Sequence, residues 1–399
     1  MYLITNGLIV TEDSILSKYD LLVKDDIITK ILPQGTVELN DDIQVLDAAG
    51  GYISPGFIDI HSDYIEHMAA PRPTCLMDFQ MSIRETEKEL ISHGITTMFH
   101  SLSLFKATEY KYKPIRDPKN VRKFIDLIDQ TQTSRHLIRH RFHARFEIDN
   151  INEVERLTTY IAENKVHLVS FMDHTPGQGQ YRDLQVYRDM VKSYEETSDE
   201  EIDNMISRQQ AKLKVTIDRM KEIADLAQKN GIAIASHDDD SIKKLELVQS
   251  LGATISEFPI TIEVALKAQA QGMFTMAGAP NILLGGSHNG NLSAPEAILA
   301  NSIDILCSDY YPPALLHAVF AMHKNYGMDL VAMFKLVTLN PAKAVKLDRE
   351  IGSIREGKKA DLLIIEKVEQ DFPVVTLVMV NGRLVQRTHY AKENQTGTV

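Results

Sequence analysis

Residues 57 to 63 read Phe57-Ile58-Asp59-Ile60-His61-Ser62-Asp63, an apolar run that ends in His-x-Asp. Side chains alternate along a strand, so His61 and Asp63 are expected on the same side. An imidazole and a carboxylate two residues apart at a strand end suit a divalent metal. A chain built around this pair is expected to be a metal-dependent hydrolase whose remaining ligands lie further along the sequence.

Downstream of this motif, short apolar runs alternate with amphipathic stretches, the pattern of repeated βα units. Strand ends fall near His61/Asp63, His100, Glu147, His174, His237, Glu257, Gly278 and Asp309. Between them, Leu213, Ile217, Met220, Ile223, Ala224 and Ala227 have helical spacing and stop at Asn230-Gly231. Another helix is expected from Pro312-Pro313 to Gly327. Eight such units predict a (β/α)8 barrel of the TIM type, with the active site at the C-terminal ends of its strands.

The ends of the chain differ. Tyr2-Leu3-Ile4, Gly7-Leu8-Ile9-Val10 and Ile27-Ile28-Thr29-Lys30-Ile31 read as short strands. The texture returns in Ala360 to Ile365 and in Val374 to Val380, where Asn381-Gly382 supplies a hairpin turn. A small β-sandwich built from both termini is expected, with residues 1–54 and 344–399 flanking a barrel of residues 55–343. The polar stretch Glu393 to Val399 is expected to fray.

Composition narrows the function. The chain has 399 residues, 44% of them apolar, enough for a large core. Its formal net charge of −12 argues against a nucleic-acid or membrane-binding surface. The apolar runs are too short and interrupted to span a bilayer, so a cytoplasmic protein is expected. Cys75 and Cys307 form no CxxC pair, which disfavours a cysteine-based metal site. Nothing in this composition opposes a homo-oligomer.

If the strand ends converge, His61, Asp63, Glu147, His174, His237 and Asp309 can hold one or two divalent ions. Zinc is the first expectation, with manganese, iron or magnesium as alternatives. Glu147 is the choice for a bridging carboxylate. A metal brings bound water towards a pKa of about 7, and Asp309 is expected to take its proton as general base. Taken singly, each residue has a plainer explanation. Asp309 could cap the next helix, and Glu147 could pair with Arg141 or Arg145.

A second theme is anion binding. Thr175-Pro176-Gly177-Gln178-Gly179-Gln180 follows His174, and Gly285-Gly286-Ser287-His288 follows the seventh strand. Gly177, Gly179, Gly286, Ser287 and His288 are candidates for a phosphate nest. Arg72, held between Pro71 and Pro73, and His67 before it are candidates to reach the same phosphate.

The chain resembles the amidohydrolase superfamily in Pro55-Gly56-Phe57 through Asp63, Gly94-Ile95-Thr96-Thr97, Asn340-Pro341-Ala342 and Gly352 to Leu362. Within it, further segments resemble the α-D-ribose 1-methylphosphonate 5-triphosphate diphosphatases of the carbon–phosphorus lyase pathway. These are Pro71-Arg72-Pro73, Ser170 to Gln178, Ser236-His237-Asp238-Asp239, Glu257-Phe258-Pro259, Gly278 to Asn281 and Ser308 to Pro313. The resemblance implies hydrolysis of a phosphorylated sugar, a ribose 5-triphosphate, to the 5-phosphate and diphosphate in phosphonate catabolism. A C–N hydrolase on the same metal site and a non-catalytic scaffold are the rivals. Two departures from the superfamily pattern stand out. No lysine ends the fourth strand, and Glu257 occupies the sixth-strand position where many members have a histidine.

Overall fold

The computed structural model describes residues 1–72, 74–104, 114–194, 196–286 and 291–390. Its centre is an eight-stranded parallel sheet in sequential order. The strands are Phe57–Ser62, Ile95–Leu104, Arg139–Glu147, Leu168–Met172, Ala233–His237, Ile255–Glu257, Phe274–Gly278 and Ile305–Cys307, called here the first to eighth barrel strands. The sheet curls round until the first and eighth strands meet. Asp309 N–H donates to the His61 carbonyl at 3.1 Å, and Asp63 N–H donates to the Asp309 carbonyl at 2.8 Å. Alternating side chains fill the interior with Ile58, Ile60, Phe99, Leu168, Ile255, Met276 and Ile305.

The surrounding helices are cut where local chemistry cuts them. Helix Ile217–Lys229 starts behind a Thr216 N-cap and ends at Asn230. Leu213 lies before it and is 79% exposed, so its helical spacing was coincidental. Helix Ala314–Tyr326 begins after Pro313 and is stopped by Gly327 at φ 69°, a left-handed residue that costs glycine little. Helices Leu184–Tyr194 and Asp199–Gln210 pack on each other around Val191, Ile202 and Ile206, between the fourth and fifth strands.

Two further sheets come from the termini. One has four strands in the order Ile27–Pro33, Tyr19–Lys24, Tyr2–Thr5, Gln44–Asp47. The other has six, in the order Arg383–Arg387, Phe372–Val380, Leu362–Val368, Tyr52–Pro55, Leu8–Val10, Ile15–Leu16. Ile4, Leu21, Ile28, Ile53, Ile364 and Met379 close a shared apolar core. Tyr52–Pro55 is the join, because it pairs with Leu8–Val10 on one side and with Leu362–Val368 on the other. Among the described residues, no helix is long and apolar enough to cross a membrane. The segment 393–399 lies outside the described residues.

Candidate metal centre

The C-terminal ends of the strands converge on a polar cluster. His61 is 1% exposed and Glu257 fully buried. Nδ1 of His61 lies 3.2 Å from Oε1 of Glu257, and Nδ1 of His237 lies 3.0 Å from Oε2. Ser170 donates to the same Oε2 at 2.7 Å. His143 closes the far side, with Nε2 at 3.5 Å from Oε1. A second set sits beside this one. Nδ1 of His174 is 2.5 Å from Oε1 of Glu147, while Nε2 of His174 and of His237 approach Oδ2 of Asp238 to 3.8 and 3.7 Å. Two groups therefore have the spacing of a metal site: His61, His237 and Glu257, and His174, His237 and Asp238. His237 belongs to both.

Buried polar atoms are nearly always hydrogen-bonded. Here His61 Nδ1, His143 Nε2, Asp238 Oδ2 and Glu257 Oε1 are buried without a hydrogen-bond partner. Four such atoms, three of them in the two groups, form a donor set that suits a divalent cation. The electrostatics agree. Burial opposes ionisation of Glu257, yet His61 and His143 hold its carboxyl well below the ordinary range. Burial pushes His237 well below the usual imidazole value, leaving it neutral, and lifts Asp238 to about 6.

Backbone strain marks the same rim. Asp238 and Phe258, immediately after the fifth and sixth strands, and Asp309, two residues past the eighth, have φ of 54°, 54° and 58°. Non-glycine residues adopt this conformation at a cost, and such residues gather at functional sites. The turn at Phe258 sets its ring 5.1 Å from both the His61 and His237 rings, an apolar wall against the cluster.

The residues singled out in the sequence are distributed as follows. His61, His174 and His237 enter the two groups, and Glu147 binds His174. Asp309 lines the cavity above them and does not cap the following helix, whose N-cap is Pro313. Asp63 is in neither group, and its Oδ1 is buried without a hydrogen-bond partner. The strand stops at Ser62, and Asp63 starts helix Tyr64–Ala69, where Arg116 approaches it to 3.5 Å. The alternation that would have set the pair side by side ends one residue too early.

The anion-binding expectation is redirected. The Gly177, Gly179 and Gly286 N–H groups donate to Tyr181 O, Asp240 Oδ2 and Asn281 O, so protein acceptors occupy them. Arg72 is exposed in its loop, His67 is exposed beside Tyr64, and neither lines the cavity. Ser287, His288 and Pro73 lie outside the described residues. The cation that does line the cavity is Arg145, together with Gln180, Asn281 and Tyr310, around a volume of about 240 Å³. Arg145 has no carboxylate within ion-pair distance among the described residues, and its Nε donates to the Met172 sulfur at 3.4 Å. Glu257, Asp238 and Arg145 were not chosen from the sequence. Asp238 adjoins His237 in sequence, and Glu257 ends the sixth predicted strand; these were the local signals. Their meeting at one site depends on register between strands, as in the pairing of His237 with Glu257.

The chain belongs to the amidohydrolase family, whose model matches residues 52–385, while residues 1–53 match the NagA composite domain. Among curated proteins it is 33% identical to alpha-D-ribose 1-methylphosphonate 5-triphosphate diphosphatase of Escherichia coli (strain K12). That alignment runs over 332 residues, 81% of this chain and 85% of the relative. Among solved structures, N-acetylglucosamine-6-phosphate deacetylase from Pasteurella multocida aligns with a TM-score of 0.63 at 13% identity, over 96% of this chain and 99% of that one. A 5-methylcytosine deaminase from Klebsiella pneumoniae aligns at 0.64 and 16% identity, over 98% and 99%. These two share the fold.

Proposed function

We propose that the protein hydrolyses α-D-ribose 1-methylphosphonate 5-triphosphate to the 5-phosphate and diphosphate, in phosphonate catabolism. The observation that carries this reading is the 33% identity to the diphosphatase over 85% of that relative. An arginine without a carboxylate partner, lining the cavity beside the metal cluster, supports an anionic substrate. The proposed division into residues 1–54, 55–343 and 344–399 gives the chemistry to the middle part, and the cytoplasm is the proposed location.

His61, His237 and Glu257 would hold one divalent ion, with zinc the first candidate. His174 and Asp238, with Glu147 behind His174, would hold a second, since neutral His237 has a single lone pair to give. Such ions supply Lewis-acid activation of water and neutralise charge on phosphate oxygens. The chain's own residues do the rest. Arg145 receives the negative phosphate oxygens from the cavity wall and orients the triphosphate. Asp309 takes the proton of the attacking water on its carboxylate. The water oxygen bonds to the first phosphorus as its P–O bond to the second phosphate breaks, leaving the 5-phosphate and free diphosphate. Asp63, tied to Arg116, fixes the start of the helix beside His61.

The test is diphosphate release from this substrate by metal-loaded protein. Release at enzymatic rates is expected. No release, together with hydrolysis of an N-acyl sugar or a cyclic amide, would hand the site to the C–N hydrolase reading.

A further inference from the structure

A second histidine–carboxylate group lies away from the mouth of the barrel. Glu87 projects from helix Phe79–Ser92, His136 precedes the third strand, and His140 is near that strand's N-terminal end. Nδ1 of His136 lies 3.0 Å from Oε2 of Glu87, and Nε2 of His140 lies 3.2 Å from the same oxygen. One ligand atom from each residue falls within 4.8 Å of the others. The spacing repeats that of the catalytic cluster, where His61 and His237 stand 3.2 and 3.0 Å from Glu257. Ligands about 2.0–2.1 Å from a tetrahedral zinc ion lie about 3.3 Å apart, close to the two imidazole–carboxylate distances here.

Two further observations point the same way. Nε2 of His100 lies 2.8 Å from Nδ1 of His140. Metal-bound imidazoles characteristically have their other nitrogen held like this, which fixes the ring and its tautomer. If Nδ1 of His140 carries the hydrogen, Nε2 presents its lone pair towards Glu87 with no change of net charge. In addition, His136 lines a cleft of about 650 Å³ shared with Asp25, Asp26 and Asn381, between the N-terminal side of the barrel and the terminal sheets. The lining carries two carboxylates and two cations, Lys359 and Arg383, and the cleft brings solvent to His136. Arg84 approaches Oε1 of Glu87 at 3.3 Å, and Oε2 faces both imidazoles while also accepting from the Leu137 N–H at 2.8 Å.

We propose that Glu87, His136 and His140 form a second metal site for a divalent cation of the zinc class, with a solvent ligand completing the coordination. It fastens helix Phe79–Ser92 to the third strand and takes no part in hydrolysis.

The experiment uses the whole chain, loaded with zinc and freed of excess. Wild type is expected to retain about one zinc equivalent more than His136→Ala, with diphosphate release per chain unchanged. His61→Ala is expected to retain this equivalent. Equal zinc content in wild type and His136→Ala overturns the site and leaves a purely hydrogen-bonded network. Anomalous diffraction from zinc-soaked wild-type crystals decides without any variant. A peak among Glu87, His136 and His140 supports the site, and a peak at the His61 and His237 cluster alone overturns it.

Discussion

Glu257 and His237 face each other across adjacent strands in register, with Nδ1 of the imidazole 3.0 Å from the carboxylate. Strand pairing thus delivers the carboxylate to the position where His237 can share a cation with it. Glu257→Gln keeps the shape and removes the charge. Metal affinity is expected to fall by about 10- to 100-fold, read by chelator competition. Unchanged affinity would take Glu257 off the ligand set.

Asp309→Asn is expected to keep the metal content of the wild type while lowering kcat by roughly 10²- to 10⁴-fold. Elemental analysis and diphosphate release, measured on the same preparation, separate the two effects. Near-normal turnover would reject the proton-accepting role.

Arg145→Met removes the cation that lines the cavity. Charged hydrogen bonds contribute about 1.5–3 kcal/mol, so KM for the triphosphate is expected to rise by about 10- to 100-fold, with metal content unaffected. Arg145→Lys should recover part of the loss. A KM that does not move in either variant argues that phosphate is held elsewhere.

Stability is expected to depend on pH through histidines outside the metal cluster. Burial, with His317 nearby, lowers His93 from 6.5 to about 4; burial, with Arg141 nearby, lowers His167 from 6.5 to about 3. Between these values and 6.5 the unfolded chain binds protons that the folded chain does not, so stability falls as pH falls through that window. Urea midpoints should drop from pH 7 to pH 4.5, and His93→Gln with His167→Asn should flatten part of the slope. A slope identical in the double variant would exclude these two groups as its source.

Gly56 offers a stability test. A Cβ there would meet Thr96 Oγ1 at 2.2 Å and Thr96 Cγ2 at 2.4 Å, where the chain enters the first barrel strand. Gly56→Ala is expected to cost about 1–3 kcal/mol by overpacking. A denaturant midpoint equal to wild type would show that the strand entry yields freely.

The barrel was legible because its strands are apolar runs with polar ends, a local pattern. The terminal domain was legible in outline, since Ile27–Pro33 and Phe372–Val380 are rich in β-branched residues. Its linking strand Tyr52–Pro55 is only four residues long and went unseen. Within the site, the histidines at strand ends could be picked out singly. Glu257 could be read as the end of the sixth strand, but its shared contact with His61 and His237 could not, because that follows from strand register and from closure of the barrel. Asp63 shows the opposite failure. Its spacing from His61 was right for a strand, but the strand stopped at Ser62 and a helix began.

The strand Tyr52–Pro55 has its partner in Leu362–Val368, about 300 residues later. At about 5–20 residues per second of synthesis, that partner emerges roughly 15–60 s after Pro55. Through that interval the nascent chain carries an unpaired strand edge directly in front of the first barrel strand. A chain stalled or cleaved before Leu362 would leave this edge uncovered, open to pairing with other chains. Synthesis of Leu362–Val368 is therefore the step that covers the edge left open since Tyr52–Pro55 emerged.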